Sequence, residues 1–171
     1  MLRTLAILFL FSISFTLSAQ RKPKMEVTKN GDTLYSTKEQ RLYTHPASKN
    51  AVVEYLKSTI YKSRSGISLC FSIQTGRTNM FSIDAGSTAE LRLENGDKIF
   101  LEARSDSRAK GSIIAYGSYI FVFYGLSKKD IEMLKGSSVD LIKISSSIGS
   151  LDYELKDKFG SVIAEQLKVM E

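Results

Sequence analysis

Few side chains in this sequence of 171 residues are of the types that carry out catalysis. It contains one histidine, His45, and one cysteine, Cys70. A nucleophilic serine needs a base, and the serine run SSSIGS at 145–150 has no candidate base other than the distant His45. One histidine and one cysteine also make no ligand set for zinc or another transition metal, and no glycine-rich phosphate loop is present. The sequence therefore predicts no metal and no cofactor.

Asp84 is the residue whose neighbours match a definite catalytic motif. The stretch FSIDAGST, residues 81–88, resembles the active-site strand of aspartic proteases, which runs hydrophobic–Asp–Thr/Ser–Gly–Thr/Ser. In that family two carboxylates share one proton, so the resemblance implies a dimeric hydrolase with Asp84 as its catalytic residue. Ala85 stands where the family has a hydroxyl, and the second half-motif, sought in IIAYG at 113–117, contains an inserted Ala and Tyr. The alternative is a strand that ends in a turn, with the Asp84 carboxylate accepting hydrogen bonds from that turn.

Cys70 lies in an alternating strand pattern rather than in a reactive environment. In GISLCFSIQ the apolar residues Ile67, Leu69, Phe71 and Ile73 share one face, and Cys70 falls on the other. No histidine or charged residue lies near it in the sequence to lower the pKa of its thiol. We therefore predict a small packed side chain. Since a single cysteine cannot form an internal disulfide, stability is expected to come from core burial.

Residues 1–19 have the layout of a secretory signal peptide. Arg3 supplies a positive charge, an almost unbroken apolar stretch runs from Leu5 to Leu17, and Ala19 is the small residue expected at a cleavage site. A single transmembrane anchor is the alternative, but this stretch is shorter than the roughly 20 apolar residues that cross a bilayer. The prediction is an exported protein, periplasmic or secreted, with no transmembrane segment after signal cleavage.

The rest of the chain is predicted to form an N-terminal hairpin and loop, residues 20–50, and a single β-rich domain, residues 51–171. MEVT and DTLYS flank an Asn-Gly pair, which is typical of a hairpin turn, and the polar residues 37–50 favour a loop. Residues 51–63 fit a helix or a strand, and their second half favours a strand. Further strands are predicted at 67–74, 79–84, 88–93, 97–104, 112–116, 118–124 and 139–146.

The segment STAELRLENGDKIFLEA is predicted to form a second hairpin. A two-residue Asn-Gly loop would place apolar and charged side chains together on each face of the hairpin. A three-residue loop over residues 94–96 instead sets Leu91 opposite Ile99. The apolar residues of both strands then share one face, Ala89 and Leu101 included. Because burial of one face fixes the register of a hairpin, we expect the three-residue loop.

Residues 119–144, YIFVFYGLSKKDIEMLKGSSVDLIKI, contain two apolar runs around a charged middle. Residues 119–124 are apolar on both faces, which predicts a central strand that is covered on each side. Ser127 and Asp130 match a capping box, and Gly136 is expected to end the helix in a left-handed conformation. The charged middle is thus explained as a short helix rather than as a site.

A second helix is predicted from about Asp152 to Val169, because Phe159, Val162 and Ile163 begin an apolar stripe among charged residues. Together these elements predict a mainly β (α+β) fold. The expected architecture is an antiparallel β-sandwich or curled sheet with one short helix and a C-terminal helix.

Two further resemblances bear on fold and partner. GSTAELRLENGDKIFL, YGLSKKDIEMLK and SVDLIKI, within residues 80–170, resemble a family of small exported bacterial β-domains of uncharacterised function, which implies a fold but no activity. GSYIFVFYG resembles the RNA-stacking strands of an RNA recognition motif. It departs from that motif at two positions. Tyr116 stands where the motif has a basic residue, and Ile120 stands where the motif has an aromatic residue that stacks on RNA. Since export also separates the protein from RNA, no nucleic-acid partner is expected.

The predicted function is a non-enzymatic secreted or periplasmic binding or interaction module. The formal net charge is +6 and the isoelectric point is about 9.3, a mild bias towards anionic partners such as lipid headgroups or acidic glycans. The expected partner is an anionic envelope component or another protein. The alternative is a hydrolase, in its sharpest form the dimeric aspartic protease that uses Asp84.

Overall fold

The computed structural model describes residues 22–28, 31–45, 54–76, 80–112 and 117–171. The predicted signal peptide, residues 1–19, therefore lies outside the described residues. The strands, in chain order, are β1 (Lys24–Val27), β2 (Thr33–Ser36), β3 (Gln40–His45), β4 (Glu54–Ser63), β5 (Gly66–Thr75), β6 (Ser82–Ile83), β7 (Thr88–Leu93), β8 (Lys98–Glu102), β9 (Ser107–Arg108), β10 (Lys110–Ser112), β11 (Gly117–Leu126), β12 (Val139–Ser146) and β13 (Gly149–Glu154). The helices are α1 (Lys128–Gly136), α2 (Asp157–Gly160) and α3 (Val162–Val169).

A large antiparallel sheet has the strand order β1-β2-β4-β5-β11-β10, and β3 also pairs with β4. The three long strands β4, β5 and β11 form its centre and pair along most of their length. The hairpin predicted around the Asn-Gly pair is β1–β2, in which Val27 faces Thr33. β6 and β9 form a separate two-stranded pair.

The N-terminal part departs from expectation at β3. Residues 37–50 are predicted to be a loop, yet Gln40–His45 form a strand that pairs with β4. The physical reason is Leu42, whose fully buried side chain anchors an otherwise polar strand in the core. The segment 51–63, for which a helix and a strand were both open, is a strand wherever the structure describes it.

A small four-stranded antiparallel sheet has the order β13-β12-β7-β8. Its β7–β8 hairpin has the predicted register, with Leu91 opposite Ile99 and Ala89 opposite Leu101. Gly96 ends the three-residue loop with φ 90°, a conformation that glycine adopts without a Cβ clash. All four apolar side chains are buried, which confirms that burial of one face sets the register.

One hydrophobic core is shared by the two sheets. Its main members from the large sheet are Leu56, Ile60, Leu69, Phe71, Ile73, Ile120, Val122 and Tyr124. Its main members from the small sheet are Ala89, Leu91, Leu93, Ile99, Leu101, Ile142 and Ile144. Burial of each aliphatic side chain of this size contributes about 1.5–3 kcal/mol. The β-rich architecture, with its curled antiparallel sheet and helices, confirms the predicted fold class.

Helix α1 begins with the predicted capping box. The backbone N–H of Asp130 donates to Oγ of Ser127 at 3.1 Å, and the backbone N–H of Ser127 donates to the Asp130 carboxylate at 2.8 Å. The helix ends at Gly136 as expected, but the predicted left-handed cap is wrong. The chain instead leaves the helix through Ser137 in an extended conformation, with φ −149°.

The single C-terminal helix predicted from Asp152 to Val169 is replaced by a strand and two short helices. Leu151 and Tyr153 are buried on one side of β13, so their period of two outweighs the helical pattern that follows. Gln166 of α3 is buried and joins the helix to β4, since its side chain bonds Ser58 at 2.7 Å and 2.9 Å. No helix in the described part of the chain is both long and apolar enough to span a membrane.

Candidate ligand-binding surface

Strand β11 turns three aromatic side chains away from the core. The even-numbered residues from 120 to 124 are buried in the core, so alternation along the strand places Tyr119, Phe121 and Phe123 on the opposite face. Phe121 is 51% exposed and Phe123 is 36% exposed. The prediction that this strand is covered on each side is therefore wrong. The prediction is wrong because residue type alone does not distinguish an aromatic side chain in the core from one on the surface.

The neighbouring strands extend this surface. The register pairs Phe123 with Cys70 of β5, and Cys70 with Thr59 of β4; residues paired across antiparallel strands share a face. We call this outward surface of β4, β5 and β11 the aromatic face. Its members are Tyr55, Lys57, Thr59, Tyr61, Ser68, Cys70, Ser72, Gln74, Tyr119, Phe121 and Phe123.

Small side chains of β5 form the floor of the aromatic face. Ser68, Cys70 and Ser72 are all buried, because larger side chains on the two flanking strands shield them. Tyr61 of β4 and Phe123 of β11 lean towards each other across β5, and their ring centroids are 5.5 Å apart. The result is a row of rings above a floor of hydroxyl and thiol groups.

Basic side chains outnumber acidic ones on and beside the aromatic face. Lys57 bonds to Glu39 at 2.7 Å and lies 4.6 Å from the centroid of the Tyr55 ring. The register places Arg41 of β3 beside Lys57 and Lys110 of β10 at the opposite edge of the same face. Within the described ranges neither Arg41 nor Lys110 forms a salt bridge.

Arg104 reaches the aromatic face from the segment that follows β8. Its backbone N–H donates to the carbonyl oxygen of Phe123 at 2.8 Å. Its guanidinium lies over Gly125, where an added Cβ would be 2.9 Å from Nε and 3.0 Å from Nη2. Arg104 is exposed, and in the part of the chain that the structure describes it forms no salt bridge. The surface therefore combines aromatic rings with a cation in a defined position.

Cys70 lies in the aromatic face but is not a nucleophile. Its side chain is buried, and this burial raises the pKa of its thiol from 9.0 to about 12. The reactive thiolate is therefore scarce at neutral pH. This confirms the prediction of a small packed side chain.

Asp84 precedes the turn between β6 and β7 and is exposed. The backbone N–H of Ser87 donates to the backbone carbonyl of Asp84 at 3.0 Å, whereas the N–H of Ala85 donates to the Asp106 carboxylate at 2.8 Å. The expectation that the Asp84 carboxylate accepts hydrogen bonds from this turn is therefore wrong. Residues 113–116, most of the second half-motif, lie outside the described residues, so the protease hypothesis stays a prediction.

The serine run at 145–150 is used by the turn between β12 and β13. Ser147 Oγ accepts a hydrogen bond from the backbone of Ser82 at 2.9 Å, and Ser146 Oγ donates to the carbonyl of Gly149 at 2.7 Å. His45 ends β3 in the large sheet. Among the residues with described positions there is no group of His, Cys, Asp and Glu that could hold a metal ion.

The sequence singles out the aromatic residues of β11 but not the rest of this surface. Tyr55 and Tyr61 alternate with buried Leu56 and Ile60 along β4, so a strand assignment extended to this segment would have revealed an aromatic outer face. Nothing in the sequence signals that Arg104 lies over Gly125, because that contact depends on tertiary placement.

Comparison of the chain with protein-family models, with curated proteins and with solved structures found no match. The resemblance of residues 80–170 to small exported bacterial domains stays a prediction.

Proposed function

We propose that the protein is a non-enzymatic binding module of the cell envelope and that its aromatic face binds an anionic glycan. The observation that carries this proposal is the exposure of aromatic rings along a regular strand. Phe121 is half exposed, and Tyr119 packs against it edge to face with ring centroids 6.1 Å apart. Exposed apolar patches bordered by polar groups mark interaction sites. The predicted export of the protein brings envelope and extracellular glycans within its reach.

Aromatic rings suit sugars because the C–H groups on one side of a sugar ring contact the electron-rich face of an aromatic ring. Alternate residues along a strand are about 6.6 Å apart. Tyr119, Phe121 and Phe123 therefore form a row about 13 Å long, along which an extended polymer can make repeated contacts. The hydroxyl group of Thr59, which is only partly buried on the same face, can bond to sugar hydroxyls.

The charges around the aromatic face favour an anionic ligand. The basic residues on and beside it are Lys24, Arg41, Lys57, Arg104 and Lys110. The acidic residues are Glu26, which pairs with Lys24, and Glu39, which pairs with Lys57. A surface of this sign attracts an anionic polymer, and salt weakens that attraction. Single-stranded nucleic acid also stacks on rings beside basic residues, but an exported protein meets glycans rather than RNA.

Glycan binding by ring-deleted variants tests the proposal. The mature protein is titrated with a size-fractionated acidic envelope polysaccharide. The double variant Phe121→Ala and Phe123→Ala should bind at least tenfold more weakly, because it removes two of the rings that contact the sugar; for comparison, stacking of a nucleic-acid base on one aromatic ring contributes about 1–3 kcal/mol. Phe100→Ala is the matched control, since Phe100 is 61% exposed but lies on the small sheet. It should bind like the wild type.

Circular dichroism and thermal unfolding confirm that each variant is folded. Equal weakening in the double variant and in Phe100→Ala would contradict the proposal. So would a wild-type protein that binds a single-stranded oligonucleotide or an envelope protein but no polysaccharide.

A further inference from the structure

Resting on the proposed function, we infer that Arg104 forms a subsite for the acid group of the glycan, at the Gly125 end of the aromatic face. The ligand class that this arrangement selects is a polymer containing uronic-acid sugars, in which a carboxylate is attached to the sugar ring. The guanidinium binds the carboxylate, while the row of rings that begins at Phe123 contacts the sugar itself.

The backbone fixes where the Arg104 side chain starts. The N–H of Arg104 bonds the carbonyl of Phe123 at 2.8 Å, and the preceding residue, Ala103, forms a β-bridge with Tyr124. These contacts hold residue 104 against the edge of β11. From there the side chain extends over the position of Gly125.

Gly125 keeps that position clear. Its neighbours in register are Ser68 on β5 and, beyond it, Tyr61 on β4, so a side chain at position 125 would point onto the aromatic face. A Cβ there would lie 2.9 Å from Nε of Arg104, closer than a nonbonded contact allows. The absence of a side chain thus leaves room for the guanidinium over Gly125, and Gly125 lies two residues along the strand from Phe123.

The charge of Arg104 is available to a ligand. Lys57, the other basic residue near the centre of the face, already bonds Glu39, whereas Arg104 is exposed and has no carboxylate partner within the described residues. A guanidinium presents a planar pair of donors that matches the two oxygens of a carboxylate. A sugar whose carboxylate is bound there lies next to Phe123, so charge recognition and ring contact act on the same unit.

Calorimetric titration with two matched oligosaccharides tests the inference. One is an oligogalacturonate, with a carboxylate on every sugar, and the other is its methyl ester, with the same backbone and no charge. The wild type should bind the acid form more tightly. Arg104→Gln should weaken binding of the acid form about tenfold, as expected for one charged hydrogen-bonded contact, and leave binding of the ester unchanged. Arg104→Lys, which keeps the charge but loses the planar donor pair, should fall between them.

A glycine pair supplies a second test that leaves the arginine in place. Gly125→Ala should weaken binding of the acid form as Arg104→Gln does, because its Cβ displaces the guanidinium. The cost in stability should be small, since the flexible end of an arginine can move aside. Gly111→Ala is the matched control: Gly111 also lies in the large sheet, and an added Cβ there meets no atom within 4 Å. It should bind both oligosaccharides like the wild type.

The outcomes separate this inference from the proposed function. If the wild type binds both oligosaccharides and Arg104→Gln binds them equally well, the Arg104 subsite is refuted while glycan binding stands. If the wild type binds neither oligosaccharide nor the envelope polysaccharide, the proposed function fails and the subsite fails with it. If Gly111→Ala loses as much acid-specific binding as Gly125→Ala, the positioning argument is wrong.

Discussion

The outer faces of the two sheets differ in the partners that their side chains have. On the small sheet, charged residues pair with one another: Lys98 with Glu90 at 2.7 Å, Arg92 with Asp140 at 2.8 Å and Lys143 with Asp152 at 3.5 Å. Phe100 is the one large hydrophobic residue that stands exposed among the described residues of that sheet. The aromatic face instead presents a row of rings with Arg104 at one end, a cation that has no carboxylate partner among the residues the structure describes.

Ion pairs and hydration accommodate the charged side chains on the outer face of the small sheet. Exposed aromatic rings are hydrated unfavourably. A ligand that covers them removes apolar surface from water, which favours binding. The two faces arise from strands with the same alternation of core residues, so the difference between them lies in the outward positions.

The largest expected effect separates the inner face of the hairpin from its outer face. Leu91→Asp puts an unpaired charge into the shared core, where Leu91 is fully buried, and should cost more than about 4 kcal/mol, enough to unfold the domain. Phe100→Thr, on the outer side of the partner strand, should change the free energy of unfolding by about 0.5 kcal/mol or less. Urea unfolding followed by circular dichroism measures both. Similar losses from the two variants would show that the register of the hairpin is wrong.

The rate of alkylation of Cys70 measures how well the aromatic rings shield its thiol from solvent. With the pKa of the thiol raised from 9.0 to about 12 by burial, the folded protein should react with iodoacetamide at pH 8 at least about a hundredfold more slowly than the same protein in denaturant. Phe123→Ala, which removes the ring opposite Cys70, should react faster than Phe100→Ala. Equal rates in the two variants would contradict the described packing of Phe123 over Cys70.

The cap of α1 tests whether the segment after β11 is structural. Ser127→Ala removes the side-chain half of the capping box and should lower the free energy of unfolding by about 1 kcal/mol. Lys129→Ala, within the same helix but outside the cap, should lower it less. Neither change should affect glycan binding. A Ser127→Ala variant of unchanged stability that no longer binds would make this segment part of the site.

The smallest expected effect concerns the paired charges of the small sheet. A double-mutant cycle on Lys98 and Glu90 should give a coupling energy of about 0.2–1 kcal/mol, as for other exposed ion pairs. The coupling should decrease with added salt, because ions screen exposed charges. A coupling well above that range would mean that the pair is more than a solvated surface contact.

The sequence predicts local structure well wherever burial of one face or the spacing of capping residues allows only one arrangement of the backbone. The register of Leu91 against Ile99 follows from burial of one face, and the capping box of Ser127 and Asp130 follows from the spacing of hydrogen-bonding groups. The prediction of one C-terminal helix is wrong because residues 149–154 have a strand pattern just before the helical apolar stripe. A strand gains its partners only in the folded sheet, which single-sequence periodicity does not contain.

The candidate site could be predicted only in part, for the same reason. The alternation around Phe121 is visible in the sequence, but which side of the strand meets solvent depends on the other elements of the fold. The contact of Arg104 with Gly125 depends on how the segment after β8 meets the edge of β11. Neither an arginine nor a glycine indicates a binding site by residue type. The relation between Arg104 and Gly125 is visible only in the structure, where a Cβ at position 125 would lie 2.9 Å from Nε of Arg104.

Chemical-shift mapping locates the glycan-binding surface residue by residue. The 15N-labelled protein without residues 1–19 is titrated with the acidic oligosaccharide, and the backbone amide shifts are followed by NMR. The changes should cluster in β4, β5 and β11, largest around Phe121, Phe123 and Gly125, and the small sheet from Thr88 to Glu102 should stay unchanged. Shifts concentrated in that small sheet, or no shifts at saturating oligosaccharide, would contradict the claim that the aromatic face is the binding surface.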